Sequence, residues 1–324
     1  MSKILVISDY RDSHSVRPEA EIFLMLRQRG FQVTVMTYGD ASYVDRFISE
    51  GVKVIPRHPT KRYDREFIKD LRNVLREGSY DILHLYNNFA ISNGVIAAKD
   101  LTVNVVAFRS AAANMSRWNP INYLKFYHPR IDYVICNSQE IESIYLRVPG
   151  FSTDNVVTIL KGQDVTWYDD IELHDIRTEL AIPKHEKLLV TVSNYRKVKA
   201  VPDLINALNG VSSSYKFHLL IIGRGMDAAD IRSALLTSTY TGRIHILGHR
   251  EDVLSIVGGC DAFILPSTSS ESLTKSVIEA ICLGVIPIIS DIEGNKVLVE
   301  HNVSGYVFKK GDVKDLAQKL NLFF

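Results

Sequence analysis

Short apolar runs alternate with longer helical patterns along the whole chain, and this alternation constrains the fold more than any other feature. Runs that are apolar at every position are typical of strands buried on both faces, as in parallel sheets. Strands that alternate with helices predict an α/β fold with doubly wound parallel sheets. In the first half, the runs of four to six residues are 4–8, 33–37, 52–55, 82–85, 103–108, 133–136 and 156–160.

The clearest of these units lies in the last quarter of the chain. The apolar run 261–265 predicts a strand that ends in a polar loop. Ser272 or Thr274 can cap the helix that follows, and this helix is expected to end at Gly284. The next apolar run, 285–290, predicts a second strand. This order of strand, loop, helix and strand is the unit that builds parallel sheets.

Two carboxylates, Glu271 and Glu279, lie on this unit eight residues apart. Eight residues span about 12 Å along a helix, which is too far for a general acid and base that act on one bond. The spacing suits a long ligand held at both ends, with a phosphate or diphosphate over the positively polarised helix start. A nucleotide sugar has this form. The alternative is a pair of solvated carboxylates on an amphipathic helix.

The pattern Glu271-x7-Glu279, followed by Ala280, Gly284 and Pro287, resembles the donor-site motif of the family 4 retaining glycosyltransferases. The resemblance implies the GT-B fold, in which two Rossmann-like doubly wound parallel-sheet domains face a cleft. It also implies that Glu271 contacts the donor sugar and Glu279 the ribose. The N–H groups near the helix start would then hold the diphosphate. They belong to Ser272, Leu273 and Thr274.

Further donor-site residues follow other strands of the second half. Arg196 and Lys199 come after the run 188–193, where two cations would neutralise the departing nucleotide diphosphate, while Lys197 is expected to be solvated. At Gly223 the absent Cβ would let a nucleotide approach the backbone, although Gly-x-Gly alone indicates only a turn. Arg250 could stack on the base. The segments that carry the resemblance here are 188–199, 222–225, 247–250 and 300–305.

The resemblance covers nearly the whole chain and predicts its domains. We expect an N-terminal acceptor-binding Rossmann-like domain at 1–163, a linker at 164–186, and a C-terminal donor-binding domain at 187–324. Gly162 and Asp164 match the turn that leaves the first domain in relatives. A hinge there would let the domains close and exclude water, which competes with the acceptor for the activated sugar.

The acceptor side is expected at the carboxyl ends of the first strands, because loops there line the crevices of open α/β sheets. Ser15 and Arg17 lie in the loop 8–17, before a helix that Pro18 is expected to open as its first residue. Relatives usually have a glycine-rich turn here, and this sequence has none. Side chains of Ser15 and Arg17 would replace its backbone donors, unless the loop is merely solvated.

Two more strands end in candidate residues. Asn87 and Asn88 follow the run 82–85 and are placed to touch sugar hydroxyls. Arg109 ends the run 103–108, where it supplies positive charge for a diphosphate or an acidic acceptor, or else is a surface arginine. His84 lies inside an apolar run and is expected to be a core histidine.

Aromatic residues mix with cations between Arg117 and Arg130, in the sequence RWNPINYLKFYHPR. Such a mixture is typical of a helix that rests on an anionic membrane surface. The same mixture also occurs in a helix with one core face and one solvated face, and this second origin is the more common one.

Composition narrows the function and the compartment. A net charge of +1 gives no argument for binding nucleic acid. The first residues predict a strand rather than a signal peptide, and no apolar stretch approaches 18 residues. We expect a cytoplasmic protein with at most peripheral contact with the inner face of a membrane. Cys136, Cys260 and Cys282 lie in apolar runs and are expected to be core residues in a reducing compartment.

These observations predict a retaining glycosyltransferase that needs neither a metal nor another cofactor. It would move a sugar from a nucleotide diphosphate sugar to a hydroxyl of a glycan or lipid-linked acceptor, in the synthesis of cell-envelope polysaccharide or glycoconjugates. Relatives usually continue with a further helix that crosses back to the first domain, and this sequence stops before it.

Two alternatives stay open. A nucleotide-sugar epimerase of the same fold would need its own acid and base near the sugar, and the sequence contains no second set of carboxylate and histidine that clearly fills this role. A non-catalytic subunit of a partner glycosyltransferase agrees with the missing glycine turn. It conflicts with the intact set of Glu271, Glu279, Arg196 and Lys199.

Overall fold

The structure of the chain, a computed structural model, describes residues 2–112, 114–269 and 273–324, and the side chains of all of these except 13–15. The backbone forms two compact units, Met1–Gly162 and Gln163–Phe324. In the described part of the chain, no helix is both long enough and apolar enough to cross a membrane.

The N-terminal unit is built on a parallel sheet. Its strands are β1 (Lys3–Ile7), β2 (Gln32–Thr37), β3 (Lys53–Pro56), β4 (Ile82–Leu85), β5 (Asn104–Arg109), β6 (Tyr133–Cys136) and β7 (Val156–Thr158). The strand order is β3-β2-β1-β4-β5-β6-β7, and every pair is parallel. Its helices are α1 (Ser13–Gln28), α2 (Val44–Ser49), α3 (Arg65–Gly78), α4 (Asn88–Ala97) and α5 (Gln139–Tyr145), with a 3₁₀ helix at Pro120–Leu124.

The C-terminal unit repeats this architecture. Its strands are β8 (Lys187–Val192), β9 (Phe217–Ile222), β10 (Ile244–Gly248), β11 (Ala262–Leu265), β12 (Ile286–Ser290) and β13 (Tyr306–Phe308). They form a parallel sheet in the order β10-β9-β8-β11-β12-β13. Its helices are α6 (Ile176–Glu179), α7 (Val201–Leu208), α8 (Ala229–Thr237), α9 (Val253–Gly258), α10 (Lys275–Cys282), α11 (Glu293–Lys296) and α12 (Val313–Phe323), with 3₁₀ helices at Val165–Tyr168, Lys197–Lys199 and Thr241–Arg243.

Both faces of each sheet are buried, which is why the strands are apolar at successive positions. In β1, Leu5 packs into one apolar cluster and Val6 into another, on opposite faces of the sheet. In β9, Leu219 and Leu220 divide in the same way. The prediction of two doubly wound parallel-sheet domains is confirmed.

Each sheet has a point where the strand order reverses, between β1 and β4 in the first and between β8 and β11 in the second. In open α/β sheets, ligands bind beyond the carboxyl ends of the strands at such a point. A ligand site is therefore expected in the loops after these four strands.

The structure differs from the sequence expectation at the start of α1. Pro18 does not open α1 and is its sixth residue, so that prediction is wrong; the helix already begins at Ser13, and Val16 N–H donates to Asp12 O at 3.2 Å. Within the predicted linker 164–186, Ile176 and Ile182 are buried in the core of the C-terminal unit.

Candidate functional site

The loop after β8 carries the two cations that the sequence assigned to the diphosphate. Lys199 ends the 3₁₀ helix Lys197–Lys199 and is only 7% exposed, whereas Arg196 and Lys197 are exposed. A buried lysine at a strand-order reversal agrees with the predicted contact to a diphosphate, because the surrounding protein screens a charge less than water does.

The loop between β11 and α10 is fixed at both ends. At its start, Ser290 Oγ donates to Ser267 O at 2.6 Å, and Thr268 N–H donates to Val198 O at 2.8 Å. At its end, Thr274 N–H donates to Asn295 Oδ1 at 2.8 Å. The second of these bonds ties this loop to the one that carries Lys199.

Ser290 and Asn295 were not identified from the sequence as site residues. Both are buried polar residues at or after the end of β12, and each holds a backbone atom of the loop before α10. Asn295 also has a buried Nδ2 for which the described residues supply no hydrogen-bond partner. The only signal in the sequence is the polar segment after an apolar strand, and it does not reveal which backbone atom the side chain reaches.

The helix α10 presents the second carboxylate of the motif. Glu279 is largely buried, and its Oε1 lies 2.6 Å from Nζ of Lys275, one turn earlier. Thr274 is the N-cap residue of this helix and is buried, and Leu273 is partly buried. Glu271 and Ser272, the other motif residues, lie outside the described residues.

Gly223 lies where two backbones cross. Its φ is +145°, and a Cβ at this position would lie 1.8 Å from Ser193 O. Ser193 and Asn194 follow β8, and Asn194 Oδ1 accepts from Arg224 N–H at 3.0 Å. The glycine thus lets the turn after β9 pack against the start of the Lys199 loop, which is a structural reason for it besides the predicted nucleotide contact.

Arg250 is held by two carboxylates. Its guanidinium donates to both oxygens of Asp252 at 2.8 Å and to both of Glu179 at 3.0 and 3.2 Å. The hydrogen bonds from Arg250 lower the pKa of Asp252 and of Glu179. Stacking of Arg250 on a nucleotide base stays a prediction.

The thiols are not suited to metal binding. Burial raises the pKa of Cys136 and of Cys260 to about 12, so both stay protonated. Across the described ranges, no group of three or more His, Cys, Asp or Glu side chains could hold a metal ion.

In the N-terminal unit, the side chain of Asn87 makes hydrogen bonds to other residues of the fold. Its Oδ1 caps α4 by accepting from Phe89 N–H and Ala90 N–H, and its Nδ2 donates to His58 Nε2 at 2.9 Å. His58 Nε2 must therefore be unprotonated, and its Nδ1 donates to Pro59 O at 3.0 Å. Burial lowers the pKa of His58 to about 4, so the ring is neutral at physiological pH.

A stack of side chains that the sequence did not reveal joins the ends of the first three strands. The ring of Tyr38, after β2, stacks on His58, after β3, with centroids 4.5 Å apart. The guanidinium of Arg11, after β1, lies 3.9 Å from the Tyr38 ring centre and pairs with Asp9. These residues come from separate strands, so no local pattern could have linked them.

Arg109 is buried at the end of β5. Its guanidinium donates to Asn88 Oδ1 and to Ala111 O, each at 2.9 Å, and lies 3.9 Å from the ring centre of Phe126. The interpretation as a surface arginine is wrong, because the side chain is packed into the loops beyond the sheet. A role in binding the acceptor stays a prediction.

Residues 13–17 form the first turns of α1 rather than a loop. Arg17 is partly buried, and the side chain of Ser15 lies outside the described residues. Farther along the helix, burial raises the pKa of Glu19 to about 7. The hydroxyl groups of Ser8 and Tyr10, just after β1, act in the opposite direction on the pKa of this carboxyl group, which the sequence did not single out.

His84 is partly buried and contacts aromatic side chains, in agreement with the structural role expected from the sequence. Its ring packs against Phe23 and Tyr86, and its Nε2 is buried with no hydrogen-bond partner in the part of the chain that the structure describes. Burial lowers the pKa of His84 to about 3.

The acid stability of the protein should depend on His84. Because its pKa is lower in the folded state than the ordinary value of 6.5, only the unfolded chain binds this proton as the pH falls below 6.5, which destabilises the fold. Replacing it by leucine should reduce the loss of unfolding free energy between about pH 6.5 and pH 4.5 by about 2.3 kcal/mol relative to the wild type. Urea unfolding at both pH values measures this difference, and equal losses in the two proteins would contradict it.

Two family models match this chain over most of its length. The model described as "Glycosyltransferase Family 4" matches residues 20–167, and the model "Glycosyl transferases group 1" matches residues 174–324. Each covers one of the two units almost completely.

Relatives and solved structures agree with these matches. The N-acetyl-alpha-D-glucosaminyl L-malate synthase of Bacillus anthracis is 24% identical over 79% of this chain and 68% of its own length. A UDP-Gal:alpha-D-GlcNAc-diphosphoundecaprenol alpha-1,3-galactosyltransferase of Escherichia coli is 29% identical over 81% of this chain and 72% of its own length. The crystal structure of HepE from Anabaena in complex with UDP has a TM-score of 0.78 and 18% identity, covering 99% of this chain and 89% of that one.

Proposed function

The chain belongs to the family 4 glycosyltransferases, and from this membership we propose that it transfers a sugar from a nucleotide diphosphate sugar to an acceptor hydroxyl with retention of configuration. Its enzyme class, a glycosyltransferase that depends on a nucleotide sugar, agrees with the prediction from the sequence. The retention, the acceptor and the roles of single residues are the proposal.

One observation carries this proposal: the loop that leads to α10 is bonded to the loop that carries Lys199. The bond from Thr268 N–H to Val198 O joins them at the strand-order reversal of the C-terminal sheet. Lys199 and Arg196 would bind the diphosphate, and Glu279 would bind the ribose. Glu271 would orient the sugar. This arrangement supplies the positive charge that the leaving group needs without a metal ion.

The transfer requires no protein nucleophile in this account. The bond between the anomeric carbon and the β-phosphate oxygen breaks, and a bond from the same carbon to the acceptor oxygen forms on the same face. The hydroxyl proton of the acceptor passes to the departing phosphate oxygen. The protein holds the reactants in position and stabilises the charge that develops on the diphosphate.

The acceptor is proposed to be a glycan or a lipid-linked saccharide used in envelope synthesis. This proposal is supported by the relative from Escherichia coli, whose name specifies a diphosphoundecaprenol-linked acceptor. A lipid-linked acceptor would bring the protein into peripheral contact with a membrane.

Nucleotide release from a panel of UDP, GDP and ADP sugars tests the function and separates the alternatives. A transferase should release nucleotide slowly by hydrolysis, and release should continue in EDTA. An epimerase would invert a ring carbon of the sugar without release, and a non-catalytic subunit would give neither product. Either of the last two results would overturn the proposal.

Glu279 should determine nucleotide affinity. Replacing it by glutamine removes a charged acceptor for the ribose hydroxyls and should weaken binding of the nucleoside diphosphate by about tenfold or more. Isothermal titration measures this change. The matched control is Glu293→Gln, which alters an exposed carboxylate on α11 and should leave the affinity unchanged. By contrast, Glu271→Ala should mainly slow turnover. Equal, negligible effects of the changes at Glu279 and Glu271 would contradict the roles proposed for these two residues.

A further inference from the structure

The segment after β5 exposes large apolar side chains in a fixed arrangement. Trp118 is 81% exposed, Leu124 56% and Ile121 46%. They lie on or beside the 3₁₀ helix Pro120–Leu124. The side chain of Asn119 caps this helix by accepting from Ile121 N–H. Exposed apolar clusters of this kind mark interaction sites in folded proteins.

The exposure is built into the fold, because the same segment is anchored from below. The buried amide of Asn122 donates to Asn114 O and to Ser116 O, each at 2.9 Å. The hydroxyl of Tyr127 donates to Met115 O, and Phe126 is buried. The aromatic residues thus divide into a core set and an outward set, so both sequence interpretations of this stretch describe part of it.

Cations accompany the outward residues. The guanidinium of Arg117 lies 4.7 Å from the ring centre of Trp118, and Nζ of Lys125 lies 4.1 Å from that of Phe126. No Asp or Glu occurs anywhere between residues 101 and 131. Burial and, to a smaller extent, the nearby charges of Arg62 and Arg109 lower the pKa of Lys125.

Two further large apolar side chains are exposed on the loop before α3 and on α4 of the same unit. Tyr63 and Phe89 are both exposed. Their segments are adjacent, since Asn93 Nδ2 donates to Lys61 O at 3.0 Å and to Phe89 O at 2.8 Å. The segment after β5 therefore exposes aromatic and aliphatic side chains together with positive charge.

We infer that this face, formed by Arg117, Trp118, Ile121, Leu124 and Lys125 and called the Trp118 surface, docks on an anionic phospholipid bilayer. Tryptophan and leucine enter the boundary between headgroups and acyl chains, and the cations interact with the anionic headgroups. The surface follows β5 at the carboxyl edge of the N-terminal sheet, the same edge as Asn87. Its biological purpose rests on the proposed lipid-linked acceptor, which the bilayer would present to this edge.

Vesicle co-sedimentation tests the inference directly. The full chain should bind phosphatidylcholine vesicles that contain about 30% phosphatidylglycerol, and should bind pure phosphatidylcholine vesicles at least about tenfold more weakly. The double variant Trp118→Ser, Leu124→Ser should lose about tenfold or more of the binding to the anionic vesicles. The double variant Arg117→Gln, Lys125→Gln should reduce the preference for anionic lipid.

The matched control is Leu236→Ser, at an 88% exposed position on α8 of the other unit, which should bind vesicles like the wild type. Wild-type binding in the double variants, equal binding to both lipids, or loss in the control would overturn the inference. Concentration-dependent dimerisation without vesicle binding, lost in Trp118→Ser, would assign the surface to a second copy instead. Nucleotide release without vesicles is measured separately, so a failure of the proposed donor chemistry is distinguishable from a failure to bind lipid.

Discussion

Lys199→Met should lower kcat/KM for the nucleotide-sugar reaction by about 100- to 1000-fold, with the protein still folded. Methionine keeps most of the unbranched stem of the lysine but removes its charge. Lys199 is buried at the strand-order reversal of the C-terminal sheet, so its charge would act on the leaving diphosphate with little screening by water. Removal of one donor that stabilises developing negative charge costs about 3 to 4 kcal/mol in known enzymes.

The neighbouring Lys197 provides the control for this experiment. It lies on the same 3₁₀ helix, has the same chemistry and is exposed. Lys197→Met should change kcat/KM by less than about twofold, because exposed charges are screened by water and salt. Rates that fall equally in both variants, or a Lys199→Met protein with unchanged kcat, would rule out the role given to Lys199. Thermal unfolding of both variants shows whether any loss arises from the fold.

Gly223→Ala should both destabilise the C-terminal unit and slow the reaction. A Cβ would lie 1.8 Å from Ser193 O and 2.6 Å from Ser193 C, closer than any real contact, so one backbone must move. The φ of +145° adds strain for a residue with a side chain, and we expect about 3 kcal/mol or more of lost unfolding free energy. Displacement of the loop that leads to Lys199 by about 1 Å should cost about 100-fold in kcat.

Gly242→Ala is the matched substitution for this prediction. Gly242 belongs to the same unit, and a Cβ there would have no atom of the described residues within 4 Å. Its unfolding free energy and its kcat should stay close to those of the wild type. Urea unfolding and steady-state kinetics on the two alanine variants give the comparison. If Gly223→Ala were as stable and active as Gly242→Ala, the backbone crossing at this point would not control the site.

Several features of the site were predictable because they depend on residues close together in the chain. The run 261–265 lies between Gly259 and Pro266, and the helix before Gly284 follows a possible cap. These local signals predict the bounds of β11 and α10 to within a residue or two of those in the structure. The motif with Glu279 is likewise local. Pro18 was misplaced because the preference of proline for a helix start is only statistical, and the chain continues the helix through it.

The class of fold, the positions of the strands and the family can be predicted from the sequence, because they follow from local hydrophobic patterns and from one compact motif. Which polar side chains contact one another is visible only in the folded chain. Asn295 reaches Thr274 across 21 residues, His58 reaches Asn87 across 29, and Gly223 meets Ser193. Such contacts depend on the order and register of strands far apart in sequence, and the pattern of any single segment contains no information about them.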